Sequence, residues 1–375
     1  MTTKHHDESM DRRAFLARGG VVTAAALTGL AAAGATAQDA TAEVKLRVAV
    51  MSKWHPHANG YAKTLAGMPG VKITAVWDED AKRGEAWAKQ LKAPFVADYQ
   101  EVVKRDDVDG VMITAPSSMH ADIMVAAAKA GKHIFTEKVL ALTVADCDRV
   151  AEAVRAANVK FCISFPFRTK PETLYAKKVV DEGLIGQVTF IRVRNAHDGA
   201  SGKWLPEYFW DEKTCGGGAM MDLGAHSMYL VRWLGGQPKR IVSAFSSVTE
   251  HPLEDNAVSV IEFEKGCLGV AETGFVSSDC PFTLELDGTE GSLRVGGPEE
   301  SKVLITSSKL KTKGWVTPDA LPEALPPTIP MWVNGILTGA PILFGLDEGT
   351  QLTELMQYAY VAAKEKRQVD VPARG

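Results

Sequence analysis

From Lys45 onward, short β-branched runs alternate with helical stretches, and this rhythm restricts the fold more than any other feature. Residues 46–51, 58–68, 71–77 and 81–91 read strand, helix, strand, helix. The pattern continues through a strand at 110–114, a helix at 121–130, a strand at 133–136, a helix at 144–157 and a strand at 159–164. Strands separated by helical crossovers pair in parallel, so 45–165 is predicted to form one doubly wound α/β domain. Beyond Phe165 the texture changes. Runs at 188–194, 241–248, 257–263, 268–274, 282–286 and 292–295 are mostly joined by tight turns, such as Glu264-Lys265-Gly266 and Gly288-Thr289-Glu290-Gly291. They predict an α+β domain over 166–348 with an open, mainly antiparallel sheet and helices at 171–182 and 221–234. A Pro-rich loop near 321–330 precedes a last helix at 349–365, and the segment 349–375 is expected to pack back on the first domain.

The amino terminus reads as an address. Arg12-Arg13-Ala14-Phe15-Leu16 precedes an uncharged, Ala-rich run from Val21 that ends in Ala35-Thr36-Ala37, a small-residue cleavage pattern. The arginine pair predicts twin-arginine export of residues 1–37 as a signal, with a periplasmic mature chain. The run is too short and too poor in Leu and Ile for a stable membrane anchor. Forty-two basic against 46 acidic residues, without a long run of either sign, argue against nucleic acid as a partner. Five cysteines with no CxxC spacing are too few for a disulfide scaffold.

In a doubly wound sheet the binding crevice lies beyond the carboxyl ends of the strands. Those positions carry Thr114-Ala115-Pro116-Ser117-Ser118-Met119-His120 and Thr136-Glu137-Lys138-Val139. Together with Ala130-Gly131-Lys132-His133-Ile134-Phe135, Arg168 and Pro171, Gly183-Leu184-Ile185-Gly186, the Gly216-Gly217-Gly218 run leading to Asp222 and His226, and Asp255-Asn256-Ala257, the chain resembles the Gfo/Idh/MocA family of oxidoreductases (glucose-fructose oxidoreductase, inositol dehydrogenase) over about residues 45 to 370. The resemblance implies a Rossmann-like first domain that binds NAD, or less readily NADP, and oxidation or reduction of a sugar, polyol or glycoside at the domain junction. It implies a homo-oligomer as well, assembled through the open sheet. Lys138 takes the place of the family's Glu-Lys-Pro lysine, where it can relay the proton that an alcohol loses along with hydride. The resemblance makes His226 the acid/base or hydroxyl-binding group, with Asp222 four residues earlier orienting it from the same helical face. Arg168, His197 and Trp204 are expected among the substrate contacts.

The cofactor loop departs from the family. Where Gly-x-Gly-x-x-Gly is usual, this chain reads Ser52-Lys53-Trp54-His55-Pro56-His57, so a remodelled phosphate contact is expected from Ser52, Trp54, His55 and His57. Asp78 stands after the second strand, where a carboxylate suits the ribose diol of NAD. Thr114, Pro116, His120, Glu137 and Lys138 complete the expected cofactor contacts. Val139 replaces the usual proline after Lys138, and Tyr229 stands where an aspartate often follows the histidine. The spare histidines allow an alternative, a metal-assisted lyase, hydrolase or epimerase with a divalent ion held by His197, Asp222 and His226.

Overall fold

The computed structural model describes residues 43–298 and 302–374; the expected signal, 1–37, lies outside the described residues. A five-stranded sheet comes first, built from β1 (Leu46–Met51), β2 (Val71–Trp77), β3 (Gly110–Ile113), β4 (His133–Thr136) and β5 (Phe161–Ile163). Its order is β2-β1-β3-β4-β5 and every pair is parallel. Helices α1 (Ala58–Ala66), α2 (Ala81–Leu91), α3 (Tyr99–Lys104), α4 (His120–Lys129) and α5 (Val144–Ala157) supply the crossovers. Strands covered on both faces cannot alternate in polarity. β1 (LRVAVM) and β3 (GVMI) are accordingly almost wholly apolar and buried. The helix starts are set locally, since the carboxylate of Asp80 accepts the Arg83 amide and the hydroxyl of Thr143 the Asp146 amide.

The second sheet has eight strands. After α6 (Pro171–Asp181) come β6 (Val188–Ala196), the short α7 (Glu212–Cys215), α8 (Gly224–Gly235), β7 (Pro238–Ser246), β8 (Asn256–Phe263), β9 (Leu268–Gly274), β10 (Thr283–Gly288), β11 (Gly291–Gly296) and β12 (Val303–Ser307). A closing pair of helices, α9 (Thr328–Thr338) and α10 (Leu346–Glu365), precedes β13 (Val369–Asp370). The order is β12-β11-β10-β6-β9-β8-β7-β13, antiparallel except for β6 beside β9. Burial alternates along β8, as expected where only one face is covered. Helix α8 lies on β6 and β9, while α10 packs on β7 and α8 of this part and on α5 and β5 of the first.

Two local readings change. Helix α9 begins in the last three residues of the segment read as Pro-rich loop and continues to Thr338, a helix not expected from sequence; its Trp332 is wholly buried in the core of the first sheet beside Phe135. Helix α8 begins at Gly224, so Asp222 lies in the turn before it and shares no helical face with His226. That turn is fixed from outside, because the Glu254 carboxylate accepts the amides of Gly218 (2.9 Å) and Met220 (3.1 Å) and the hydroxyl of Tyr360 (2.5 Å). Glycine is required at 217 and 218, where a Cβ would run into the Tyr360 hydroxyl and the Glu254 carbonyl.

Candidate active site

The loop after β1 closes on itself. Ser52 has φ +74°, the left-handed conformation that glycine usually supplies at such a turn. Its hydroxyl accepts the Trp54 amide at 3.0 Å. The His55 ring accepts the His57 amide through Nδ1 at 3.2 Å, and the His55 carbonyl accepts the Ala58 amide at 3.0 Å. The Lys53 amide goes to Asp78 Oδ2 at 2.8 Å. Asp78 is buried and paired with Arg83, whose Nε and Nη2 reach its two oxygens at 3.0 and 2.7 Å. Trp54 is buried too, stacked on Phe209 with centroids 5.1 Å apart, and the Tyr208 hydroxyl donates to its carbonyl at 2.8 Å.

Strand β4 delivers Glu137 and Lys138 next to this loop. Lys138 Nζ reaches Asp222 Oδ1 at 2.5 Å and the Asp222 carbonyl at 2.7 Å. The second contact of the Asp222 carboxylate is His55 Nε2, at 3.3 Å. Desolvation would raise the Asp222 carboxyl, but Lys138 and His55 outweigh it and hold it well below the usual range. Glu137 is buried; it accepts the Lys138 amide (2.8 Å), stands 2.7 Å from His57 Nδ1 and accepts the Tyr61 hydroxyl. Burial would raise Glu137 as well, yet the histidines at 57 and 55 together with Lys138 keep it ionised far below its ordinary value. Burial likewise opposes protonation of His57, but the Glu137 charge prevails and raises it. His55 is lowered, chiefly by burial.

His226 is buried and held neutral, its pKa driven well down by burial and then by Lys138. It is oriented by the Tyr229 hydroxyl, 3.0 Å from Nδ1, rather than by Asp222, whose carboxylate is spent on Lys138 and His55. The expected Asp222 to His226 partnership is therefore replaced by a lysine-carboxylate pair beside a histidine-tyrosine pair. Tyr229, which sequence reasoning noted only as a departure, fills the orienting role. Tyr61 was missed; its position four residues after His57 along α1 was the available signal.

The remaining expected contacts divide. Thr114 is buried and donates its hydroxyl to the Ser52 carbonyl at 2.6 Å, which ties β3 to the first loop. Pro116 precedes a single helical turn at Ser117–Met119. His120 places its ring nitrogens 2.8 Å from the Val139 carbonyl and 3.0 Å from that of Ala115, clamping the two loops together. His197 stacks on Phe275 and lies against Trp204; its pKa is lowered by burial and nudged upward by the charge of Asp222. Trp204 is half exposed and donates to Asp198 at 2.9 Å. Arg168 is buried with its guanidinium over the rings of Trp233 and Phe344. The imagined metal set of His197, Asp222 and His226 is not assembled. Among the described residues, His55, His57 and Glu137 are instead the group whose donor atoms converge.

Set against known proteins, residues 50–165 match the family described as an oxidoreductase family with an NAD-binding Rossmann fold, and 173–294 match the Gfo/Idh/MocA C-terminal domain. The NAD(+)-dependent scyllo-inositol 2-dehydrogenase of Bacillus subtilis is 30% identical over 258 residues, covering 66% of this chain and 73% of that protein. Inositol 2-dehydrogenase of Salmonella paratyphi B is 31% identical over 240 residues, covering 62% and 67%. Among solved structures, levoglucosan dehydrogenase in complex with NADH and L-sorbose superposes with a TM-score of 0.77 at 22% identity, over 88% of this chain and 99% of that one. Both halves of the chain, in order, thus carry the two domains of one enzyme family, and the protein is a member of the Gfo/Idh/MocA oxidoreductases.

Proposed function

We propose that the protein is an exported oxidoreductase acting on a hydroxyl-bearing carbon of a sugar, polyol or glycoside, with Lys138 handling the hydroxyl proton. The observation that carries this reading is the buried Lys138, held on Asp222 at 2.5 Å where the ends of the parallel strands meet the second domain. A substrate hydroxyl that displaces the Asp222 carbonyl from Nζ gains a charged donor and acceptor pair through which its proton can pass. Neutral His226, fixed by Tyr229, supplies a second acceptor or donor for a neighbouring hydroxyl. The inositol and levoglucosan dehydrogenase names of the relatives support a carbohydrate-like substrate.

NAD is the cofactor of the family's first domain, and when bound it would accept or return the hydride. In the described conformation the loop after β1 spends its amides on itself, so pyrophosphate would be held there once these internal bonds open. The amides of Trp54, His57 and Ala58, on the stretch where the phosphates would lie, are already satisfied within the loop. Both Asp78 oxygens are engaged by Arg83.

Export rests on the arginine pair and the Ala-Thr-Ala site, and assembly into a homo-oligomer on the half-exposed face of the eight-stranded sheet. No helix among the described residues is long and apolar enough to cross a membrane.

The test is turnover of a panel of polyols, sugars and glycosides with NAD supplied, read by mass spectrometry for loss of two hydrogens. The wild-type protein should oxidise at least one class, and Lys138→Ala should be slower by of order 100-fold to 10,000-fold while keeping its circular dichroism spectrum. Equal rates in a folded variant would reduce Lys138 to a structural residue.

A further inference from the structure

We propose that His55, His57 and Glu137 form a site for a single divalent transition-metal ion, seated in the crevice where the family's glycine loop would hold pyrophosphate. One donor atom from each residue lies within 4.8 Å of the other two. Ligands sharing a zinc ion at about 2.0–2.1 Å stand roughly 3.3 Å apart, so the three close on an ion by side-chain rotation alone. Two imidazoles and one carboxylate are a donor set suited to zinc, iron(II) or manganese(II), and three protein ligands leave positions open for a water or a substrate oxygen.

The surroundings are those of a metal site. Glu137 is buried, and the nearby Lys138 Nζ is bonded to Asp222 rather than to it. An ion at this point would neutralise the buried Glu137 carboxylate and displace the proton between His57 Nδ1 and Glu137 Oε1. The ligands are held from behind. Asp222 Oδ1 meets His55 Nε2 at 3.3 Å, the Tyr61 hydroxyl binds Glu137, and Tyr61 in turn meets Ser164 Oγ at 2.7 Å. The His57 ring is exposed, which gives the ion a way in. The residues that stand at 55 and 57, in the stretch where a glycine loop is usual, are the ones that bring two imidazoles toward Glu137.

The experiment is elemental analysis of the full-length protein purified without chelators or histidine tags, followed by calorimetric titration of the stripped protein with zinc and with manganese. The expected result is about one ion per chain. His57→Ala, with its fold checked by circular dichroism, should weaken binding by of order 100-fold or more. Cobalt substitution should give visible absorption bands that Glu137→Gln abolishes. Lack of stoichiometric affinity for either metal overturns the proposal, and so does an affinity unchanged by His57→Ala. An ion lost in His197→Ala but retained in His57→Ala overturns it as well, by placing the metal elsewhere. These readouts need no substrate, so their failure leaves the Lys138 reading untouched, and inactivity of Lys138→Ala says nothing about the ion.

Discussion

Asp222 decides what Lys138 can do. A buried lysine with no partner is costly, whereas this one is held in a fixed direction by a carboxylate and a backbone carbonyl. The same carboxylate touches His55, so the proton-handling pair and the loop after β1 answer to one group. His226 shows the opposite strategy, being kept neutral by burial beside Lys138. This has a consequence for acid stability. The folded-state pKa of His226 lies well below 6.5, its ordinary value, so the unfolded chain takes up a proton there that the folded chain refuses. The contribution is therefore present above that pH and is lost as pH falls through it. Urea midpoints measured at about pH 8 and about pH 5.5 should differ, with the lower midpoint in acid, and His226→Gln should narrow that gap. A gap that the substitution leaves untouched would mean that His226 already titrates freely in the folded protein.

At the scale of elements, the alternation of apolar runs and helices was legible because parallel strands buried on both faces leave an unmistakable trace. Strand β4 and helix α5 fall at the positions read from sequence. Helix α9 was not legible: Pro326 and Pro327 precede it and Pro330 stands in its first turn, where proline is tolerated, so its start reads as a continuation of the Pro-rich loop. At the site, Glu137, Lys138, Asp222 and His226 were found through motif order, but their pairing was hidden. The turn after Gly216-Gly217-Gly218 displaces Asp222 from α8, and its geometry depends on Glu254 and Tyr360, far away in sequence. That dependence is testable. In Gly217→Ala the new methyl meets the Tyr360 hydroxyl, so the variant should lose about 1–3 kcal/mol in urea denaturation and lose turnover through Asp222. Wild-type stability would show that Tyr360 can step aside at no cost.

On the scale of the whole molecule, a five-stranded parallel sheet and an eight-stranded mainly antiparallel sheet carry the two domain matches of the Gfo/Idh/MocA family. Export belongs at this scale, because the twin-arginine route carries chains already folded and would deliver the site with whatever it binds. Cell fractionation should place the mature chain, beginning near Gln38, in the periplasm, and replacing Arg12 and Arg13 by Lys should leave it in the cytoplasm. Normal export of the double variant would rule out that route.

The central claim, oxidation at a carbohydrate carbon, is tested most directly by following the hydrogen on that carbon. With a substrate carrying deuterium at the reacting position and NAD supplied, the account predicts that the label leaves with its electron pair and is recovered on the nicotinamide ring, in wild-type protein and only weakly in Lys138→Ala. Recovery of the label in bulk water, with no reduced dinucleotide formed, would contradict it, since the carbon would then have lost a proton rather than a hydride.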